Sequence, residues 1–172
     1  DRFRLLASSL LGITILSQVS LAHAQTVSFS AATNFNVGSF SISAVVGDFN
    51  RDGKLDLAVA NGGAGVNTVS IFLGDGAGGF TAGATPTAGS GSLFMATGDF
   101  NGDGKLDIAV ANRNSNNVSI LLGNGDGTFS PASTPTIPVG NLPFAVAVGD
   151  FNLDGAQDLA VVNHDSNNLS IF

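Results

Sequence analysis

From residue 41 onward the apolar residues fall in short runs of four to eight, rich in Val, Ile and Phe and bounded by Gly, Asn and Asp. No 3.6-residue apolar period persists long enough for a helix, so these runs read as strands. They come in a repeated order. Ser43-Ala44-Val45-Val46-Gly47 is followed by Leu55-Asp56-Leu57-Ala58-Val59-Ala60-Asn61, then by Thr68-Val69-Ser70-Ile71-Phe72-Leu73, then by a run that starts at Phe80. The same order returns from Phe94-Met95-Ala96-Thr97-Gly98 and from Ala145-Val146-Ala147-Val148-Gly149. The pattern predicts strands A (about 41–48), B (55–61), C (68–73) and D (80–87) in the first unit. Four short strands per unit of about 50 residues is the pattern of a β-propeller blade. The expected class is therefore all-β, built of four-stranded antiparallel blades at about 41–88, 92–139 and 143–172. Phe29-Ser30-Ala31-Ala32 resembles the start of strand D, so the repeat region is expected to open with a D strand. Closed propellers have about four to eight blades. Three blades are thus expected to be an incomplete propeller, with missing blades from the same gene, so that the isolated chain is expected to aggregate, to self-associate through open blade faces, or to fold only marginally.

Between strands A and B lies a nine-residue pattern. It reads Asp48-Phe49-Asn50-Arg51-Asp52-Gly53-Lys54-Leu55-Asp56, then Asp99 to Asp107, then Asp150 to Asp158, at intervals of 99 − 48 = 51 and 150 − 99 = 51 residues. Side-chain oxygens stand at positions 1, 3, 5 and 9, with Gly at position 6. That is what a hard cation needs from a tight loop, and Ca²⁺ takes six to eight such oxygens. The predicted ligands are Asp48, Asn50, Asp52 and Asp56; Asp99, Asn101, Asp103 and Asp107; and Asp150, Asn152, Asp154 and Asp158. Position 7 is expected to add a backbone carbonyl, from Lys54, Lys105 or Ala156. Gly53, Gly104 and Gly155 permit the positive φ that lets the chain wrap an ion. Position 9 is expected to bind through both oxygens. Unit charges about 5 Å apart repel by roughly 0.8 kcal/mol even in water, so clustered carboxylates favour a bound cation. An EF-hand is excluded: its twelfth residue is Glu between helices, and here it is Val59, Val110 or Val161 between strands.

Composition sharpens this reading. All 13 acidic residues are Asp, and nine of them lie in the three loops. The net charge is −7, with six Lys and Arg, which leaves no electrostatic footprint for nucleic acid. The absence of Cys excludes a disulfide framework and a thiolate metal site. Residues 1–24 read as a signal peptide: Arg2 and Arg4, a mostly apolar stretch from Leu5 to Leu16, and the small-x-small site Ala22-His23-Ala24. Its interspersed Ser, Thr and Gln make it too polar for a membrane span, so no membrane insertion is expected after cleavage. The mature chain is then the repeat region 25–172.

The run Gly-Asp-Phe-Asn-x-Asp-Gly-x-x-Asp-Leu/Ile-Ala-Val-Ala-Asn, followed by Val-Ser-Ile-Leu-Leu-Gly-Asn-Gly-Asp-Gly-Thr-Phe, resembles the FG-GAP/VCBS repeat. That repeat builds the propeller of integrin α subunits and of many secreted bacterial proteins. The resemblance covers about residues 29–172. It implies one calcium ion in each A–B loop, up to three in all, a secreted or cell-surface setting, and adhesion or recognition of an extracellular protein or glycan ligand. The third loop departs from the pattern, with Ala156-Gln157 in place of Lys-Leu, which removes the apolar anchor at position 8.

Other signals carry less. Gly74 to Gly79 matches a nucleotide-binding glycine pattern, but no helix follows, so it reads as a C–D turn. His164 reads as a solvated turn residue, and Phe49, Phe100 and Phe151 as packing between blades. No nucleophile–base pair and no open metal triad is visible, so this chain is expected not to be an enzyme. The leading expectation is a calcium-dependent adhesion or recognition module. The alternative is the non-catalytic propeller part of a larger secreted enzyme, such as a polysaccharide-degrading one.

Overall fold

The computed structural model describes residues 31–63 and 65–172. The signal peptide expected at 1–24 lies outside them, as do Phe29 and Ser30 of the expected opening D strand; Ala31 and Ala32 belong to no strand. Three antiparallel sheets fill Asn34–Phe172, and no helix occurs among the described residues.

The first sheet holds β1 (Ser41–Gly47), β2 (Asp56–Asn61), β3 (Thr68–Gly74) and β4 (Phe80–Ala82) in that order. The second holds β5 (Ser92–Gly98), β6 (Asp107–Asn112), β7 (Asn117–Gly123) and β8 (Phe129–Pro138). The third holds β9 (Pro143–Gly149), β10 (Asp158–Asn163) and β11 (Asn168–Ile171). Each sheet is one blade of strands in chain order. The fourth strand of blade 1 is shorter than the pattern predicts. Beyond Ala82 the chain still runs beside β3, with Ile71 N–H on the Ala84 carbonyl and Val69 N–H on the Pro86 carbonyl, both at 2.9 Å. An isolated bridge between Thr68 and Thr87 marks the end of this looser pairing.

Successive residues of a strand face opposite sides, and that alternation sets the packing. Val45, Ala58 and Ile71 are neighbours on one face of blade 1. This face meets Met95, Ile108, Val110 and Leu121 of blade 2 in one buried cluster. The other face of blade 2, with Ala109, Val118 and Ile120, meets Leu159 and Val161 of blade 3 in a second. The first strands line up, β1 against β5 and β5 against β9. Each blade therefore covers the rear of the one before it.

A buried Asn closes the second strand of every blade. Asn61, Asn112 and Asn163 each donate from Nδ2 to a serine hydroxyl of the next strand, Ser70, Ser119 or Ser170, at 2.8 Å. Their Oδ1 accepts from the hydroxyl of Ser41 in blade 1 and of Ser92 in blade 2. Pro143 stands at the equivalent place in blade 3 and has no hydroxyl, so Asn163 Oδ1 is buried without a partner.

Candidate metal loops

The three nine-residue loops join the first and second strands of each blade, β1 to β2, β5 to β6 and β9 to β10. The glycine before each loop leaves room for the phenylalanine two residues on, and in loops one and two also for the position 8 side chain of the next blade. A Cβ at Gly47 would lie 2.9 Å from Phe49 Cε1, and the same contact recurs at Gly98 with Phe100 and at Gly149 with Phe151. Phe49 is buried and meets Phe129 of blade 2 edge to face, with ring centroids 5.6 Å apart. Phe151, the counterpart in blade 3, is exposed.

All three loops close by the same hydrogen bonds. The Asp52 N–H is shared by Asp48 Oδ1 and Asn50 Oδ1, each at 3.0 Å. Gly53 N–H donates to Asp48 Oδ2 at 2.9 Å, and Lys54 N–H to Asp52 Oδ1 at 2.9 Å. Loop two repeats these bonds through Asp99, Asn101 and Asp103, and loop three through Asp150, Asn152 and Asp154. Because Asp48 and Asn50 accept from one N–H, their oxygens converge on one point. The backbone turns left-handed twice in each loop: at Gly53, Gly104 and Gly155, as the sequence predicts, and also at Arg51, Gly102 and Leu153.

Position 9 has a role the sequence did not reveal. Asp56 is buried; its Oδ2 accepts from Phe49 N–H at 2.9 Å and its Oδ1 from Gly74 N–H at 2.8 Å. Asp107 does the same with Phe100 and Gly123. Asp158 accepts from Phe151 alone and is less buried. Asp56 and Asp107 thus pin their loops to the end of the third strand. The expected two-oxygen ligand is thus employed on backbone N–H groups. A carboxylate offers about four lone-pair sites, so capacity remains after two amides. With position 9 turned inward, no group of three or more acidic or histidine side chains is arranged to hold a metal among the described residues.

Charge in the loops is partly met from within. Lys54 Nζ lies 3.3 Å from Asp52 Oδ2, and Lys105 Nζ 3.0 Å from Asp103 Oδ2. The Lys54 backbone N–H, helped by its ammonium, holds Asp52 below the ordinary carboxylate value; for Asp103 the Lys105 ammonium contributes most. Ala156 brings no ammonium to loop three, where Asn152 Nδ2 donates to Asp154 Oδ2 at 3.0 Å instead. Burial pushes Asp107 upward, against the Gly123 and Phe100 amides, and Asp103 and Asp99 add repulsion. Positions 1, 3 and 5 carry oxygens of the kind a hard cation takes, and in this structure those oxygens accept backbone N–H groups.

Position 8 proves to be a contact between blades. Leu106 of blade 2 lies against Gly47 at the mouth of loop one. Gln157 of blade 3 reaches loop two, its Oε1 accepting from Asp99 N–H at 2.7 Å. The apolar anchor expected to be lost at Gln157 is therefore replaced by a polar one. A side chain at position 8 that is apolar in one repeat and an amide in another was the available signal. The glycine run at 74–79 is a turn between β3 and β4, closed by Ala77 and Gly79 N–H groups on Asp75 Oδ1. His164 is exposed, with Nδ1 2.6 Å from Asp165 Oδ1.

The family model of the FG-GAP-like repeat matches residues 48–110 and again 99–161. The two matches are displaced by 99 − 48 = 51 residues, the interval of the loops. A comparison with curated proteins gave no match.

Proposed function

Because the chain belongs to the FG-GAP-like repeat family, we propose that its β-propeller-like blades form a secreted, calcium-dependent recognition module. The observation that carries this reading is the threefold loop closure, in which the oxygens of positions 1 and 3 gather on the backbone N–H of position 5 in every blade, so the same oxygen-bearing side chains crowd one small turn three times. In this reading Asp48, Asn50 and Asp52 hold the ion in blade 1, with the Lys54 carbonyl and a remaining lone pair of Asp56. Asp99, Asn101, Asp103, Lys105 and Asp107 do so in blade 2. Asp150, Asn152, Asp154, Ala156 and Asp158 do so in blade 3. Calcium, when bound, supplies positive charge that neutralises the clustered carboxylates.

The chain's own residues do the remaining work. Asp56 and Asp107 tie each loop to the far end of the third strand, so ordering a loop orders the blade rim. The ligand is proposed to be an extracellular protein or glycan that reads this rim. Secretion rests on the pattern of residues 1–24. No catalytic step is assigned: the single histidine among the described residues, His164, is spent on an exposed pair.

Thermal unfolding in EDTA, Mg²⁺ and Ca²⁺ tests the proposal. Extracellular modules bind Ca²⁺ at about 10⁻⁴–10⁻³ M. About 10 mM Ca²⁺ then stabilises by roughly 1.4–2.7 kcal/mol per site. A melting temperature unchanged by Ca²⁺, or raised equally by Mg²⁺, refutes it.

A further inference from the structure

The chain holds three Asn-Gly pairs, at 61–62, 101–102 and 124–125. Glycine sets no side chain beside the amide and turns freely, so its nitrogen is the backbone nucleophile best able to reach the asparagine Cγ. The structure treats the three pairs differently. Asn61 is buried, with Nδ2 donating to Ser70 Oγ at 2.8 Å and to Thr68 Oγ1 at 3.3 Å. The Gly62 N–H is spent on the Phe40 carbonyl at 3.1 Å. Asn124 is exposed, but its amide is gripped at both ends. Nδ2 donates to Thr128 Oγ1 at 2.9 Å, and Oδ1 accepts from Ser130 Oγ at 3.1 Å. The side chains of Lys105 and Arg51 also lie against Gly125.

Asn101 is restrained in neither way. Asn101 and Gly102 are both exposed, and the Gly102 N–H donates no hydrogen bond among the described residues. Apart from its chain neighbours, nothing lies within 4 Å of where a Gly102 Cβ would stand. Asn101 Oδ1 accepts from Asp103 N–H at 3.0 Å. This bond closes an Asx-turn around the Asn101–Gly102 peptide and keeps the side-chain carbonyl folded back along the backbone. It also sets an N–H where negative charge grows on Oδ1 when a nucleophile adds to Cγ. Asn101 Nδ2 faces the Asp103 carboxylate, but closes no bond to it of the kind Asn152 makes with Asp154 at 3.0 Å. The sister loops have the same turn, with Asn50 Oδ1 and Asn152 Oδ1 accepting from the N–H two residues on. There a side chain follows the asparagine, Arg51 or Leu153. Loop two alone joins this turn to a glycine.

We propose that Asn101 is a site of spontaneous covalent modification, where the Gly102 nitrogen displaces the side-chain amide and leaves aspartate or isoaspartate at position 3 of loop two. The Gly102 N–H gives its proton to water as the nitrogen adds to Asn101 Cγ. The N–Cγ bond forms, the Cγ–Nδ2 bond breaks, and Nδ2 leaves as ammonia with a proton from solvent. A cyclic imide remains, and water opens it. Cleavage of the new N–Cγ bond gives aspartate. Cleavage of the original Asn101–Gly102 peptide bond gives isoaspartate, whose main chain runs through Cγ. Water enters, ammonia departs, and nothing is oxidised or reduced. Either product adds negative charge to a loop that already holds Asp99, Asp103 and Asp107. Isoaspartate also lengthens the loop backbone by a carbon and so strains the turn on Asp103 N–H. This chemistry does not depend on calcium.

Peptide mass mapping of the 172-residue chain, incubated in mildly alkaline buffer with EDTA, reads the site. A second sample, unfolded in guanidinium chloride, sets the clock, because there the fold protects none of the three pairs. The mass gain of an amide becoming an acid is expected at Asn101 of the folded chain on the time scale of the unfolded sample. Asn61 and Asn124 are expected to convert about tenfold or more slowly in the folded chain, and Asn50 and Asn152 to stay intact. Asp-Gly pairs pass through the same imide without a change of mass, so they do not enter the reading. Gly102→Arg copies loop one, where Arg51 already holds φ at 60°. Circular dichroism is expected to show it folded, with conversion of Asn101 slowed about tenfold or more. Arg51→Gly is expected to make Asn50 reactive in turn. The proposal is overturned if Asn101 stays intact in the folded chain while the unfolded chain converts, or if Asn61 or Asn124 converts first. It is equally overturned if Gly102→Arg converts as fast as the parent, or if Asn50 stays intact in Arg51→Gly. Should Gly102→Arg unfold, Gly102→Leu, which copies loop three, serves with the same readings.

Discussion

The inward turn of the ninth loop residue has an energetic consequence that can be separated from metal binding. Asp107 is buried and accepts one N–H from Phe100 at 2.9 Å and one from Gly123 at 2.8 Å. Asp107→Ala leaves both N–H groups without an acceptor. A hydrogen bond to a charged group contributes about 1.5–3 kcal/mol, so the gross loss is about 3–6 kcal/mol. Part is offset, because the substitution also removes a desolvated charge and its repulsion with Asp99 and Asp103. The expected net loss is about 2–4 kcal/mol. The chain has no Trp or Tyr, so urea unfolding is followed by far-UV circular dichroism. In EDTA, with a slope of about 2 kcal/mol per molar, the midpoint falls by about 1–2 M. Asp158→Ala, which releases only the Phe151 amide, is expected to lose about half as much. Asp103→Ala, at a solvent-screened ion pair, is expected to shift the midpoint in EDTA far less than Asp107→Ala does. If Asp107→Ala unfolds like the parent chain in EDTA and is weakened only in Ca²⁺, the carboxylate is a metal ligand and not a staple.

Lys105→Ala removes the ammonium 3.0 Å from Asp103 Oδ2. An exposed pair of this kind is worth about 0–1 kcal/mol, so calorimetry is expected to show calcium binding at loop two tightened by up to about fivefold; weaker binding would refute competition by the lysine. Leu153 holds φ at 62° and is almost fully exposed, so Leu153→Gly is expected to raise unfolding stability by about 0.5–1 kcal/mol; a loss in urea unfolding would show that the side chain packs. Asp52, Asp75, Asp103 and Asp126 are all held below the ordinary value of 3.8. Their contribution to stability is present above pH 3.8 and is lost as pH falls through their folded values. Asp107 is shifted up and acts oppositely, its contribution present below 3.8 and lost as pH rises through its folded value. Four groups outweigh one, so melting temperature in EDTA is expected to hold from neutral pH towards 4 and to fall below 3.8; a continued rise into acid would contradict the assignment.

The strands were legible because each apolar run is repeated with the same boundaries, and β2, β6 and β10 begin at the ninth loop residue, one residue later than the pattern predicts. The ragged fourth strand of blade 1 was less so, since its regular pairing stops at Ala82 although alternation alone would continue it. The loop residues were legible as a set, but their division of labour was not. Spacing shows that Asp56 belongs to the loop; only the fold shows that its oxygens meet Phe49 and Gly74. Contacts across blades leave little trace in a single repeat: Leu106 and Gln157 are chemically unlike yet do the same job. Asn61, Asn112 and Asn163 read as residues ending a strand, whereas they are buried links to the next one. Exposure at the open faces was legible only in kind, because it depends on which blade has a neighbour.

Calcium titration by calorimetry tests most directly the claim that each loop holds one ion. The parent chain is expected to bind three Ca²⁺, and Asp52→Ala, Asp103→Ala and Asp154→Ala each to bind two while still folding in EDTA. Absence of heat up to about 10 mM Ca²⁺, well above the weak range of extracellular modules, or a stoichiometry unchanged by all three substitutions, would contradict it.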